Sequence, residues 1–171
     1  MYDDQLPYHW SLPIDGAPNF TLAELVRSEL ARRRGIDNRP GPAAVARLER
    51  LARRVLQPIR DRFGPMLVTS GYRCLELNRL VGGGERSHHR LGQAADLRPL
   101  RQEVRWVEVL CYVHSSLPYD ELVAEYLPHG WMHVAYAGSH RPRRRLLIKQ
   151  SGRPIRPTTM EELRRRLAQA A

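Results

Sequence analysis

The sequence predicts an α+β fold, with N-terminal helices packed on a small, mostly antiparallel sheet. Three observations carry this. From Thr21 to Arg62 the apolar residues recur at the three-and-four spacing of helices. From Tyr119 to Lys149 they fall in short strand-like runs broken by proline and glycine. Between these stretches lie two brief apolar runs, Met66 to Ser70 and Ala94 to Leu97, around a loop dense in glycine and histidine.

Taken in order, residues 1–19 hold prolines, glycines and aromatics without periodicity and read as an irregular arm. The first helix opens on a capping box, Thr21 with Glu24, stapled by Phe20 against Leu25. Leu22, Leu25, Val26 and Leu30 form its apolar stripe, and Gly35 supplies its stop. Asn38 to Gly41 is a linker. Pro42 is preset for the first turn of a second helix running to Arg62, whose stripe is Val45, Leu48, Leu51, Ala52, Val55, Leu56 and Ile59. Pro58 lacks a backbone donor and should bend the last turn.

Gly64-Pro65 turns the chain into a strand, Met66 to Ser70, and Leu75 to Val81 gives one or two helical turns. Gly82, Gly83 and Gly84 read as a flexible rim, because a phosphate loop would need its lysine and its flanking strand and helix. Ala94 to Leu97 is a strand. Arg101 to Ser116 is a helix with Val104, Val107, Leu110, Cys111 and His114 on or near one face, His114 being a packed or capping histidine. After Leu117-Pro118 come three antiparallel strands, Tyr119 to Tyr126, Trp131 to Ala137 and Arg145 to Lys149, the first two joined by a turn at 127–130. A basic tail, 150–171, ends in a short arginine-rich helix opened by Thr159 with Glu162.

At 171 residues the chain is one domain with enough length for a core of its own, and its 42% hydrophobic content is that of a folded protein. The formal net charge is +10. Nucleic acid, a membrane surface or an anionic polymer such as cell-wall material could each match that excess. The helix arginines lack interleaved aromatics and read as a solvated face, which argues against nucleic acid as the partner. Cys74 and Cys111 imply free thiols rather than a disulfide framework. The N-terminus lacks the basic and apolar regions of a secretory signal, and no stretch is long enough to span a bilayer. The expectation is synthesis in the cytoplasm without a signal peptide.

Ser70 to Asp96, SGYRCLELNRLVGGGERSHHRLGQAAD, is where the chemistry concentrates. His89 and Asp96 lie seven residues apart across Gly92, a spacing that suits a loop entering a strand. His133 sits in WMHVAY, a run whose alternation presents one histidine from a pleated surface. Two histidines and a carboxylate suit zinc, and three protein ligands leave the open fourth position of a catalytic site.

Ser87 to Asp96 reads S-H-H-R-L-G-Q-A-A-D, which resembles the S-x-H-x-x-G-x-A-x-D signature of the zinc D-alanyl-D-alanine carboxypeptidases. These group with the vancomycin-resistance dipeptidases, several phage endolysins and the hedgehog fold. The upstream S-G-Y-R at Ser70 to Arg73 and the downstream W-x-H at Trp131 to His133 resemble the same family, and the likeness runs from about Phe20 to about Lys149. It implies a hedgehog/D,D-peptidase-like fold with one zinc per chain, held by His89, Asp96 and His133 on the exposed face of the sheet.

The resemblance also implies a substrate, peptidoglycan stem peptides, and roles. Arg73 would stabilise the oxyanion or grip substrate, and Ser87 would help anchor a substrate carboxylate, with Tyr72 beside it. The N-terminal pattern is most similar to the phage and prophage branch, so delivery would fall to a phage tail or lysis partner. Relatives often carry a glutamate three residues before the last histidine, where this chain has Gly130. Phage-type relatives resemble Y-D-Q-L-x-x-E before W-x-H, which puts the general base on Glu125, with Glu121 on the same strand face as its competitor. Two activities stay open, a D,D-carboxypeptidase and an L-alanyl-D-glutamate endopeptidase. So does a zinc-containing binding module without catalysis.

Overall fold

The computed structural model describes residues 9–127 and 129–169; the first eight residues of the expected arm, and Pro128 in the expected turn, lie outside them. The described part of the arm is not irregular. It forms a small hairpin, β1 (Pro13–Ile14) with β2 (Ala17–Thr21). Gln57 locks β2 to the helix behind it, accepting from the Asn19 amide at 3.1 Å and donating to the Asn19 side chain at 2.8 Å.

The single first helix expected after Thr21 is two helices, α1 (Leu22–Val26) and α2 (Glu29–Arg34). Thr21 caps the first through the Glu24 amide, as the capping box implied, but Ser28 caps the second through the Ala31 amide. A second capping residue so close to the first breaks the helix, which leaves Leu30 half-buried and puts Ala31 in the buried position.

The long second helix is present as α3 (Pro42–Leu51), a π-helical turn (Ala52–Leu56) and α4 (Gln57–Phe63). Pro58 does not act on the last turn. The accommodation comes earlier, in the widened turn where the Gln57 amide donates to the Ala52 carbonyl. All seven residues of the expected stripe are buried, and its Val, Leu and Ile side chains contribute up to about 1.5–3 kcal/mol each by leaving water.

The main sheet has strand order β3-β4-β6-β5-β7-β8: β3 (Met66–Ser70), β4 (Ala94–Pro99), β6 (Trp131–Ala135), β5 (Glu121–Glu125), β7 (Arg145–Lys149) and β8 (Arg156–Pro157). Alternation divides its faces. Ala95, Leu97, Leu122, Ala124, Met132, Val134, Leu146 and Ile148 point into the hydrophobic core with the helices. Asp96, Glu121, Glu125 and His133 occupy the opposite parity.

Two expectations fail in the second half of the chain. The helix expected from Arg101 begins only at Trp106, as α6 (Trp106–Ser116), after turns over 101–104. The third strand of the C-terminal sheet, β7, runs parallel to β5 rather than antiparallel. Buried Asp120 is the physical reason. Its carboxylate accepts from the Ala137 amide at 2.7 Å and the Arg143 amide at 3.2 Å, pinning both ends of the 137–143 connection beside the start of β5. The chain therefore re-enters the sheet beside β5, running in the same direction.

The basic tail is part of this layer too. β8 pairs with β7, and α7 (Met160–Gln169) buries Leu163 completely. The remaining helix, α5 (Leu75–Leu80), leads into the glycines, which are held rather than loose. Buried Asn78 donates to the Gly84 carbonyl at 3.0 Å, and its own carbonyl accepts from the Gly83 amide. Cys74 and Cys111 are both free.

Candidate metal centre

Two strands and one turn bring the expected ligands together. Asp96 on β4 faces His133 on β6 in register. His89 lies in a 3-10 turn (His88–Leu91) that ends on Gly92 at φ +70°. A side chain on Gly92 would sit 2.4 Å from the Ala44 carbonyl oxygen, so the glycine of the sequence signature lets this turn press against α3. His89 is fixed from the other side by Gly71, whose carbonyl accepts from its Nδ1 at 2.6 Å. Gly71 passes so close to α1 that an added Cβ would fall 2.0 Å from the Leu25 carbonyl oxygen.

That hydrogen bond fixes the His89 tautomer, because a carbonyl can only accept; Nδ1 carries the proton and Nε2 turns a lone pair inward. His89 Nε2, His133 Nδ1 and Asp96 Oδ1 then form a triangle with edges of 3.1, 2.9 and 3.2 Å. Ligand atoms about 2.0–2.1 Å from a tetrahedral zinc would stand roughly 3.3 Å apart. Three ligand-type atoms this close, with the His89 proton spent on Gly71, are a constellation that a cation satisfies once His133 carries its proton on Nε2. All three residues are buried.

Their supports are equally specific. The Arg73 guanidinium donates to Asp96 Oδ2 at 2.8 Å and to Ser70 Oγ at 2.8 Å, leaving Oδ1 to the cluster. His133 Nε2 stands 3.9 Å from Glu121 Oε1, so a proton displaced from Nδ1 would sit toward a carboxylate. Burial alone would raise the Asp96 carboxyl, but the two histidines outweigh it and hold the group well below the usual carboxylate range. Burial pushes the His89 imidazole down, toward the neutral form a ligand needs, against the opposing pull of Asp96.

A second grouping among the described residues, His88 with Glu121 and His133, shares one histidine with the first. It fits a metal less well, because the Arg143 guanidinium already donates to His88 Nε2 at 2.7 Å.

The cluster opens on a cavity of 590 Å³ lined by Arg73, His89, Asp96, Glu121, Glu125 and His133 among others. Glu121 and Glu125 flank Val123, which pairs with His133, so both carboxylates lie beside the ligand face. Glu125 Oε2 is 3.3 Å from Lys149 Nζ, and Glu121 Oε2 is 3.6 Å from Arg145. Burial would depress the Lys149 ammonium, but Glu125 and Tyr126 more than offset this and raise it.

Of the residues expected at the site, Ser87 and Tyr72 do not line the cavity. Ser87 precedes the 3-10 turn, and Tyr72 is half-buried against the core. Lys149, Arg153, Pro154 and Ile155 do line it, and sequence reasoning missed them because the parallel pairing that brings them there left no local signal. Also missed was buried Asn38, treated as linker. It donates to the Val26 and Tyr72 carbonyls and accepts from the Cys74 amide, holding the loop that presents Arg73.

Residues 18–135 match a family model described as Peptidase M15, a stretch that contains the three candidate ligands, both glutamates and Arg73. Among curated proteins, none matches the chain. Among the described residues no helix is long and apolar enough to cross a membrane.

Proposed function

The chain belongs to the peptidase M15 family, whose peptidases are zinc-dependent, and on that premise we propose that it hydrolyses a peptide bond in peptidoglycan stem peptides. The observation that carries the reading is the triangle of His89 Nε2, His133 Nδ1 and Asp96 Oδ1 at the floor of a cavity flanked by two carboxylates and an arginine. These three residues would hold one zinc per chain. The chemistry zinc supplies there is Lewis acidity, which polarises a carbonyl and lets water ionise near neutral pH.

The protein's own groups divide the rest of the work. Glu121, set against the outer nitrogen of His133, orients that ring. Glu125 is thereby left as the general base, taking a proton from the attacking water and returning it to the leaving amine. Lys149 engages Oε2 of Glu125, which leaves Oε1 for that proton. Arg73 commits Nε and Nη2 to Ser70 and Asp96, so Nη1 is the atom it can offer to a developing oxyanion or a substrate carboxylate. Substrate contacts at Ser87 and Tyr72 would need a peptide that extends past the cavity.

A non-catalytic zinc module is the second reading. The pairing of Glu125 with Lys149 and of Arg73 with Asp96 favours it, because both groups already have partners. Digestion of purified peptidoglycan, with the products weighed, separates the two. Release of terminal D-alanine marks a D,D-carboxypeptidase, and freed stems with an N-terminal D-glutamate mark the endopeptidase. No product would leave the binding module. Similarity to the phage branch makes a phage tail or lysis partner the proposed route to the wall.

A further inference from the structure

One wall of the cavity lies beyond the stretch that the family model matches. The matched residues end at 135, yet Lys149, Arg153, Pro154 and Ile155 complete the lining. We infer that this turn between β7 and β8 selects the substrate, with Arg153 gripping a free carboxylate of the peptide and Ile155 and Val81 covering an apolar part beside it. The inference rests on the peptidase reading above.

Position comes first. The parallel register sets Lys149 against Glu125, so the turn that follows opens at the end of the sheet where Glu125 stands. The turn is anchored at both ends. The Arg153 amide donates to the Gln150 carbonyl, and β8 returns to β7 through Ile148 opposite Arg156. Arg156 is bonded to Glu162 of α7, and Thr158 donates to the same carboxylate at 2.8 Å. α7 is in turn seated by fully buried Leu163. The wall is thus tied at both ends by hydrogen bonds and strand pairing, while its tip is exposed.

Charge makes the choice of residue. Three cations line the cavity: Arg73, Lys149 and Arg153. Arg73 is matched by Asp96 at 2.8 Å and Lys149 by Glu125 at 3.3 Å. Arg153 is exposed and has no ion-pair partner among the described residues. Nearby Ile155 and Val81 are 49% and 45% exposed, unusual for large apolar side chains bordering a polar site. A guanidinium takes a carboxylate through two parallel hydrogen bonds, and a carboxamide cannot replace it. The substrate class is therefore a stem peptide with a free carboxylate flanking the scissile bond, rather than its amidated counterpart.

A series of soluble stem peptides, each with one carboxylate replaced by a carboxamide, tests this on the zinc-loaded protein. One replacement should raise KM about tenfold while leaving kcat nearly unchanged, the scale of one lost charge-assisted contact. Arg153→Gln should raise KM for the free carboxylate equally, leave the amidated peptide within twofold, and keep zinc content and unfolding temperature unchanged. Discrimination by Arg153→Gln as strong as that of the unaltered protein overturns the inference. If no peptide is cut, the peptidase reading fails, and calorimetric binding of the same peptides still decides the role of Arg153. Equal affinities with and without the Arg153→Gln change would overturn it there too.

Discussion

Asp96 of β4 stands opposite His133 of β6 in antiparallel register, while Ser70 of β3 faces Asp96 from the other side. Two of the three candidate ligands are thus a cross-strand pair whose separation follows from the spacing of hydrogen-bonded strands. A register shift between Val68 and Ser70 turns the end of β3, and the Thr69 hydroxyl donates to the Asp96 carbonyl at 3.2 Å. Only His89 comes from outside the sheet.

The cluster predicts the metal content directly. His89→Ala, Asp96→Ala and His133→Ala should each fall well below one zinc per chain by elemental analysis. His88→Ala should keep full zinc, since its ring already accepts from Arg143. Full occupancy in the first three would place the site elsewhere.

The two glutamates should separate by readout. Glu125→Gln should hold zinc and fold yet lose about 10²–10⁴-fold in kcat, because an amide cannot accept the proton. Glu121→Gln should keep substantial activity at saturating zinc but bind the metal about 10–100-fold more weakly. Reversed outcomes in a joint zinc titration and rate measurement would exchange the two roles.

Arg73→Lys keeps a charge but cannot bond Ser70 and Asp96 together while offering a third nitrogen. A fall of roughly a hundredfold in kcat/KM is expected, the size of one lost oxyanion donor. An unchanged rate, or a variant that fails to fold, would remove Arg73 from the chemistry.

Gly71→Ala tests the close approach that places His89. The new Cβ would meet the Leu25 carbonyl oxygen at 2.0 Å, so a loss of about 1–3 kcal/mol or more is expected in urea unfolding, together with weaker zinc binding. Gly84→Ala meets nothing within 4 Å and should stay within about 0.5 kcal/mol. Similar values for the two would contradict the packing account.

His114 supplies a pH dependence away from the site. Its Nδ1 is 2.5 Å from the Tyr119 hydroxyl, and burial, then Arg144, lowers its pKa below 6.5. The unfolded chain therefore binds the proton more readily. The stability this provides is complete above about pH 6.5 and is lost as the pH falls toward the folded value. The advantage of the unaltered protein over His114→Gln should accordingly shrink between about pH 7.5 and about pH 5 in urea melts. Parallel curves would remove the histidine from the acid response.

Much of this was legible in the sequence for local reasons. The capping pairs at Thr21 and Thr159, the stripe from Val45 to Ile59 and the spacing of His89 and Asp96 are all set by residues within a few turns of one another. What was misread depends on distant partners. Asp120 decides the direction of β7 by binding amides at positions 137 and 143, which no periodicity reveals. Ser28 was the exception, a capping residue visible in the sequence but overridden by an apolar stripe that ran across it.

The parallel partner of β5 also bears on how the molecule behaves in company. If the chain stopped where the family match stops, at residue 135, the backbone groups of Glu121–Glu125 that now meet β7 would be bare. They would lie beside Leu122 and Ala124, both fully buried today. An unpaired strand flanked by apolar surface recruits copies of itself. Strand β7 thus acts as a guard against self-association, and a fragment trimmed to the matched length would be expected to clump before it could be assayed.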